Sequence, residues 1–200
     1  SVREHDTDEL SHYSKRTIDF EYHFPFGTKE LYGLAYRTDF DLKAHMKESG
    51  EDLSYTDTKT NEKFIPHVLE PTFGVERTLL AVLCDAFSEE DDRTVLKLDP
   101  KLAPVKIAVF PLLRNKPELV KKAREIFDSL KSHYVCEFDD NGNVGKRYRR
   151  QDEIGTPLCI TFDFDSIEDN AVTVRDRDTM EQKRVKVGEL EGYILNKLNV

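Results

Sequence analysis

Polar and apolar residues alternate along the first third of the chain. Residues 17–24 alternate strictly, a period that predicts a half-buried strand. Residues 25–28 carry turn-forming proline and glycine, and residues 30–36 predict the returning strand of an antiparallel pair. A short helix is expected around residues 8–13, and another at 39–46, where early acidic residues suit the helix dipole.

The next segment joins a strand to a helix. Residues 57–62 predict a hairpin tip, and residues 64–69 predict a strand. Pro71 cannot donate a ladder hydrogen bond, so the strand is expected to end there rather than include it. Gly74 allows a close turn, and from about Gly74 to Phe87 the apolar residues follow helical spacing.

The pattern changes after an acidic break at residues 88–93. Residues 105–110 form a near-continuous apolar run, typical of a strand covered on both faces. A helix beginning at Pro117 and a strand at 134–138 predict a right-handed crossover. The later pattern predicts a strand at 158–163, a hairpin of residues 171–177 and 182–187, and a closing helix at 188–198.

These patterns predict a mixed α/β (α+β) protein in three segments. Residues 1–92 form an antiparallel sheet domain, and residues 93–103 are a connector. Residues 104–200 form an α/β domain with a mixed sheet of about five strands.

Composition narrows the choice of partners. The 200 residues include 30 Lys and Arg against 39 Asp and Glu, a net charge of −9. An acidic chain is poorly suited to non-specific nucleic-acid binding, so any RNA contact must use a local basic patch. No membrane span or signal peptide is expected. Three isolated cysteines argue against a disulfide framework and fit a cytoplasmic protein. Ser1 in place of an initiator Met indicates a fragment.

No metal site held by protein ligands alone is predicted. The histidines lack the spacing of zinc ligands. Residues 139–143 faintly resemble a calcium loop, but Val144 stands where that loop requires glycine. Asp39 and Asp41 are interpreted as helix-capping residues rather than as a metal-binding pair.

Candidate chemistry centres on Glu70 and Arg77. Glu70 is expected at a strand end and Arg77 in the first turn of a helix. The helix dipole favours cations in the last turn, so an arginine in the first turn suggests that it holds an anion or stacks on a planar ring. The alternative is a chance combination of Glu, Pro, Gly and Arg.

A resemblance strengthens the functional interpretation. The order Glu70-Pro71-Thr72-x-Gly74-x-x-Arg77 resembles motif 3 of class II aminoacyl-tRNA synthetases, in the form used by glycyl-tRNA synthetases. Four further stretches resemble the same family in the same order and bring the resemblance to nearly the whole chain: residues 30–42, 49–52, 146–157 and 174–180.

The resemblance implies the end of a class II catalytic sheet followed by an anticodon-binding domain. Such a protein activates glycine with ATP and Mg²⁺, transfers it to tRNA(Gly), and works as a homodimer. Motifs 1 and 2 have no counterpart here, so the 200-residue chain alone is not expected to make glycyl-adenylate.

The resemblance also implies residue roles. Arg77 and Glu30 are the catalytic candidates, with Glu30 also a candidate Mg²⁺ ligand. The implied ATP-binding residues are Glu30, Leu31, Gly74, Val75, Glu76 and Arg77. The implied glycine-binding residues are Glu70, Pro71, Thr72, Phe73 and Gly74. Two positions depart from the family, since Thr72 replaces its usual Ser and Glu76 its common Asp.

Residues 146–153 are the only concentrated basic segment. Phosphates would be neutralised by Lys146, Arg147, Arg149 and Arg150, and Tyr148 would stack on an unpaired base. The alternative is a solvated helix face paired with acidic neighbours; the resemblance favours RNA contact.

Two other functions compete with a ligase. The first is a non-catalytic nucleic-acid-binding accessory protein of synthetase-like fold, and the second is an unrelated nucleotide-binding protein. The second lacks the Gly-rich phosphate loop it would need. The ligase is favoured over the first because the chain retains Glu30, Glu70, Gly74 and Arg77.

Overall fold

The fold is that of a computed structural model, which describes residues 1–198. The chain divides into two compact units between Cys84 and Asp85. The first unit is built on a four-stranded antiparallel sheet, and the second on a five-stranded mixed sheet. Within the described residues, no helix combines the length and apolar character needed to cross a membrane.

Unit 1 is an antiparallel sheet with a small hairpin and two helices. Its sheet has the strand order β1-β2-β3-β6, and β4 and β5 form the separate hairpin. The elements are β1 (Val2–Glu4), β2 (Arg16–Phe24), β3 (Gly27–Thr38), α1 (Phe40–Ser49), β4 (Tyr55–Thr56), β5 (Lys63–Phe64), β6 (Val68–Phe73) and α2 (Val75–Ala86), the last of which runs past the unit boundary.

The predicted antiparallel pair, the hairpin tip at residues 57–62 and the helix after Gly74 are confirmed. Two other predictions are wrong. Residues 8–13 form turns, because so short a segment cannot sustain a helix by itself. Pro71 lies inside β6, paired with Leu34. The strand tolerates it because β6 is the edge of its sheet, where a missing N–H interrupts no second ladder.

Asp39 and Asp41 lie near the N-terminus of α1. Asp39 occupies the N-cap position without a side-chain cap hydrogen bond, and its carboxylate lies 2.7 Å from Nζ of Lys43. Asp41 instead accepts a 2.6 Å hydrogen bond from Nε of Arg37. Both residues lie at the start of the helix as predicted, but their carboxylates form ion pairs, and the side chain of Asp39 makes no capping hydrogen bond.

Unit 2 has the strand order β10-β9-β11-β12-β13, with a separate β7–β8 hairpin. Strands β9, β10 and β11 run parallel, while β12 and β13 are antiparallel, so the predicted mixed sheet of five strands is confirmed. The elements are β7 (Phe87–Glu89), β8 (Thr94–Leu96), β9 (Ile107–Pro111), α3 (Pro117–Leu130), β10 (Cys136–Phe138), α4 (Val144–Ile154), β11 (Leu158–Phe162), α5 (Asp165–Asp169), β12 (Ala171–Asp176), β13 (Gln182–Lys186), a 3-10 turn (Val187–Glu189) and α6 (Leu190–Leu198).

Both faces of the mixed sheet are covered. On one face, Ile107 and Val109 pack in a cluster with residues of α3 and α6. On the other, Phe110 packs in a smaller cluster with Val144 and Tyr148 of α4. This arrangement explains the near-continuous apolar run of β9, since neither face meets water.

Helix α4 and the β7–β8 hairpin lack a clear signal in the sequence. Helix α4 buries Arg147, Gln151 and Asp152. Its inner face is therefore polar, which hides the apolar period that marks most helices. Ser88 pairs with Val95 across the predicted boundary after residue 92, so the hairpin packs as one piece within unit 2.

Gly155 and Gly192 should respond in opposite ways to alanine. Gly155 has φ +83° after α4, and a Cβ there would lie 2.9 Å from the Leu96 carbonyl oxygen, so Gly155→Ala is expected to destabilise unit 2 by about 1–3 kcal/mol. Gly192 lies within α6 with open space around it, so Gly192→Ala should add about 0.5–1 kcal/mol. Urea denaturation of both variants measures the two changes, and equal effects would contradict the strain assigned to Gly155.

Candidate functional site

Strands β3 and β6 place a group of acidic and small residues on one sheet face. Ala35 is paired with Glu70, and Gly33 is paired with Thr72. Paired residues point to the same side of a sheet. A Cβ added to Gly33 would lie 3.1 Å from Oε1 of Glu30, so the Glu30 carboxylate covers the same face. Gly33 and Ala35, which have almost no side-chain volume, form the floor between these side chains.

Arg37 is the residue of this face to which the sequence assigned no role. Its Nη1 donates a 2.7 Å hydrogen bond to Oε2 of Glu70, while Nε and Nη2 donate to Asp41 at 2.6 and 2.7 Å. The guanidinium lies 4.0 Å from the centroid of the Tyr13 ring. The hydrogen bonds that Arg37 donates to Asp41 and then to Glu70 raise the pKa of Arg37, and Arg37 lowers the pKa of Asp41.

The charge of this cluster is unbalanced. Two carboxylates share one guanidinium, so the Glu70–Arg37–Asp41 group keeps one negative charge. The Glu70 side chain is 45% exposed and its recorded hydrogen bond uses only Oε2, which leaves Oε1 accessible to a ligand. The signal available in the sequence was that Arg37 and Asp41 both lie in the family-like stretch 30–42.

Arg77 lies beside Glu30 rather than beside Glu70. Its Nη1 donates to the Glu30 backbone oxygen and lies 3.8 Å from Oε2 of the same residue. The Arg77 side chain is 52% exposed. Glu30 therefore links the arginine of α2 to the sheet face that carries Glu70.

Gly74 is not required by the packing of the protein. A Cβ there would meet Arg77 Cβ at 3.5 Å and the Leu31 carbonyl oxygen at 3.6 Å, which are ordinary contacts. Gly74 is also absent from the glycines with positive φ. Neither packing nor backbone conformation therefore explains why this position is a glycine.

Several residues implied by the resemblance do not present their side chains to this face. Pro71 and Phe73 are paired with Leu34 and Tyr32, so they point to the opposite side of the sheet. The Phe73 ring packs 4.9 Å from that of Tyr32. Only the backbones of Pro71 and Phe73 can line a glycine site on the Glu70 face. At the start of α2, Val75 and Glu76 are exposed.

Within residues 1–198 no three His, Cys, Asp or Glu side chains cluster to hold a metal ion. The carboxylate of Glu30 is about half exposed, which leaves a hard oxygen ligand at the surface of this face.

The basic segment of unit 2 divides between exposed and buried side chains. Lys146, Arg149 and Arg150 are exposed on α4, and Arg150 donates a 3.0 Å hydrogen bond to Asp139. Arg147 is only 1% exposed, and burial lowers the pKa of its guanidinium. Three of the four predicted cations therefore lie at the surface, with Arg150 paired to Asp139, whereas Arg147 does not reach it.

Tyr148 is also engaged within the protein. Its hydroxyl lies 2.7 Å from Thr161 Oγ1, its ring meets Phe110 edge-on, and the Arg175 guanidinium lies 4.9 Å from its centroid. These contacts engage part of the ring, and Tyr148 also lines a cavity of unit 2, so the stacking of this ring on a base stays a prediction.

A cavity of about 350 Å³ opens at the carboxyl ends of the parallel strands. Leu112 and Asp163 follow β9 and β11, and Leu112 N donates to Phe162 O at 2.8 Å. Burial raises the pKa of Asp163, but hydrogen bonds from Ser166, Arg184 and Thr173 outweigh it and leave that pKa lowered. Open α/β sheets bind ligands at this edge, where the connections diverge.

Comparisons with known proteins identify the family of this chain. Residues 106–197 match the family of anticodon binding domains. The chain is 54% identical over 202 residues to the glycine–tRNA ligase of Macrococcus caseolyticus, 56% over 201 to that of Ruminiclostridium cellulolyticum, and 55% over 203 to that of Staphylococcus haemolyticus. Each match covers 98% of this chain and 43% of the relative, so the chain spans less than half of these proteins. The chain therefore belongs to the glycyl-tRNA synthetase family, as a part that includes the anticodon binding domain.

Proposed function

We propose that this chain supplies part of the active site and the anticodon-binding part of a glycine–tRNA ligase. The reaction joins glycine to ATP as glycyl-adenylate with release of pyrophosphate, and then transfers the glycyl group to tRNA(Gly). The observation that carries the proposal is a sheet face with an excess negative charge, held by Glu70, Arg37 and Asp41, above small residues. Glu30 and Arg77 lie beside this group.

Glycine would bind by its ammonium group and by the absence of a side chain. The unmatched negative charge of the Glu70–Arg37–Asp41 group suits an ammonium, and the accessible Glu70 Oε1 is an acceptor for it. Arg37 would hold the Glu70 carboxylate in place. Gly33 and Ala35 leave space at the floor, and Thr72 narrows it, so a larger amino acid would be excluded by contact.

ATP would lie beside Gly74 and Arg77. Arg77 is permanently charged and planar, so it can stack on adenine or hold a phosphate. The backbone of Gly74 admits a close approach. Mg²⁺, when bound, would neutralise phosphate charge, with Glu30 as one of its ligands. The chain's residues thus act by positioning and by charge stabilisation.

Unit 2 would bind the anticodon. Unpaired bases would enter the cavity at the ends of β9 and β11. Adjacent phosphates would be neutralised by Lys146, Arg149 and Arg150. We also propose, from the family resemblance, that the complete protein is a homodimer in the cytoplasm, a location with which three free cysteines are compatible.

The test is amino-acid-dependent ATP–pyrophosphate exchange by the complete protein that contains this chain. Exchange is expected with glycine and far less with alanine, and the 200-residue chain alone is expected to give none. Activity of the isolated chain would contradict the need for motifs 1 and 2. A complete protein that binds tRNA without any exchange would instead be a non-catalytic accessory protein.

Reversing two exposed charges should separate tRNA binding from glycine activation. Lys146→Glu with Arg149→Glu is expected to weaken tRNA(Gly) binding at least about tenfold, because two phosphate contacts become repulsive, while pyrophosphate exchange is unchanged. Filter binding at several salt concentrations measures the effect. Lys121→Glu with Lys122→Glu is the control, because it makes the same charge change on α3, across the sheet. Equal losses in the two variants would refute a specific contact at α4.

A further inference from the structure

Arg147 is the largest fully buried side chain among the described residues. Its guanidinium donates to four backbone oxygens: those of Asn141 at 3.3 Å, Asp140 at 3.1 Å and Gly142 at 2.7 Å, and that of Pro111. Three of these belong to the loop between β10 and α4, and the fourth ends β9. A single side chain therefore ties the loop of residues 139–143 to the neighbouring strand.

The loop and the strand end adjoin the cavity of unit 2. Pro111 immediately precedes Leu112, and the loop leads directly into Val144; Leu112 and Val144 both line that cavity. Arg150 provides a second anchor to the same loop, through its 3.0 Å hydrogen bond to Asp139. The position of one cavity wall thus depends on two arginines, of which Arg147 is the buried one.

We propose that Arg147 is a positioning residue for tRNA recognition, which sets the geometry of the anticodon cavity by holding the 139–143 loop against the end of β9. The inference rests on the proposed function of unit 2. Arg147 acts through the backbone it holds and does not touch RNA, since its recorded hydrogen bonds all go to carbonyl oxygens and it is 1% exposed.

The shape of the side chain matters more than its charge. A guanidinium presents a planar fork of donors to several carbonyls at once, whereas an ammonium is a compact charge that cannot span them. Removing the fork leaves buried carbonyl oxygens without donors, which frees the loop to move. Arg147→Lys keeps the charge and removes the fork, so it separates positioning from electrostatic attraction.

The experiment measures binding of tRNA(Gly) and of an anticodon-substituted tRNA to the complete protein across a salt series. Arg147→Lys is expected to weaken tRNA(Gly) binding about tenfold, to lose discrimination between the two tRNAs, and to leave the salt dependence unchanged. Arg124→Lys is the matched control and should bind like the wild type, because Arg124 is exposed on α3, on the other face of the sheet. Arg149→Gln should lower the slope of log K against log salt by about 0.7–0.9 while discrimination is kept.

Three outcomes would overturn the proposal: wild-type affinity and discrimination in Arg147→Lys, a reduced salt slope in Arg147→Gln, or an equal loss in Arg124→Lys. Melting curves show whether each variant folds. If Arg147→Lys does not fold, Asp139→Asn tests the same loop through its second anchor, and a folded Asp139→Asn protein with wild-type discrimination would refute the proposal. A wild-type protein that does not bind tRNA(Gly) would refute the proposed function instead.

Discussion

Replacing Glu70 by glutamine in the complete protein is expected to lower glycine-dependent pyrophosphate exchange by about a hundredfold or more. The substitution keeps the size of the side chain but removes its charge, so Arg37 then balances Asp41 alone and the site loses its excess negative charge. Losing the charge-assisted hydrogen bond to the glycine ammonium costs about 3 kcal/mol, and each 1.36 kcal/mol is about tenfold in rate.

The kinetic pattern distinguishes this role from general damage. Because Glu70 is assigned to the glycine ammonium, the KM for glycine should rise steeply while the KM for ATP changes little. Glu62→Gln is the control, since Glu62 is an exposed acid of the same unit outside this face. Full exchange activity in Glu70→Gln, or a defect confined to ATP, would refute the assignment.

Replacing Asp152 by alanine is expected to destabilise unit 2 by about 3–5 kcal/mol, the cost of leaving a buried charge without its partner. Asp152 accepts hydrogen bonds from Arg175 at 2.8 and 2.9 Å and from Arg93 at 3.2 Å. The three side chains are 2%, 7% and 4% exposed, so water cannot replace the lost carboxylate.

Urea denaturation of the 200-residue chain, followed by circular dichroism, measures the change in the free energy of unfolding. Asp128→Ala is the matched control: it removes an exposed ion pair with Lys131, in which both side chains are about half exposed, and should cost less than about 1 kcal/mol. Similar losses in the two variants would show that the buried network contributes no more than a surface pair.

The candidate site was predicted in part. Glu30, Glu70, Thr72 and Arg77 were named from motif order alone, and the structure brings the first three onto one sheet face, with Arg77 linked through Glu30. Arg37 was given no role because its importance depends on a partner 33 positions away. Spacing along a chain does not report such a contact, whereas a strand register does.

The residues proposed to bind RNA show the same limit. In the sequence, five basic or aromatic residues of one segment had the same predicted role in RNA binding. In α4, Arg147 is buried, whereas Lys146, Arg149 and Arg150 are exposed. Residue type alone does not distinguish a buried arginine from an exposed one. Only the helix orientation, set by packing of Val144 and Tyr148 against Phe110, decides which of them can meet a phosphate.

The sequence by itself determined the features with a local cause. The alternation of β2, the apolar run of β9 and the proline that begins α3 each follow from periods or bonding limits within a few residues. The tertiary structure alone decided that Pro71 lies within an edge strand, that Arg37 joins Glu70 to Asp41, and that Arg147 is buried. The physical reason is that a side chain's environment depends on residues distant in sequence, whose positions are fixed only when sheets and helices pack together.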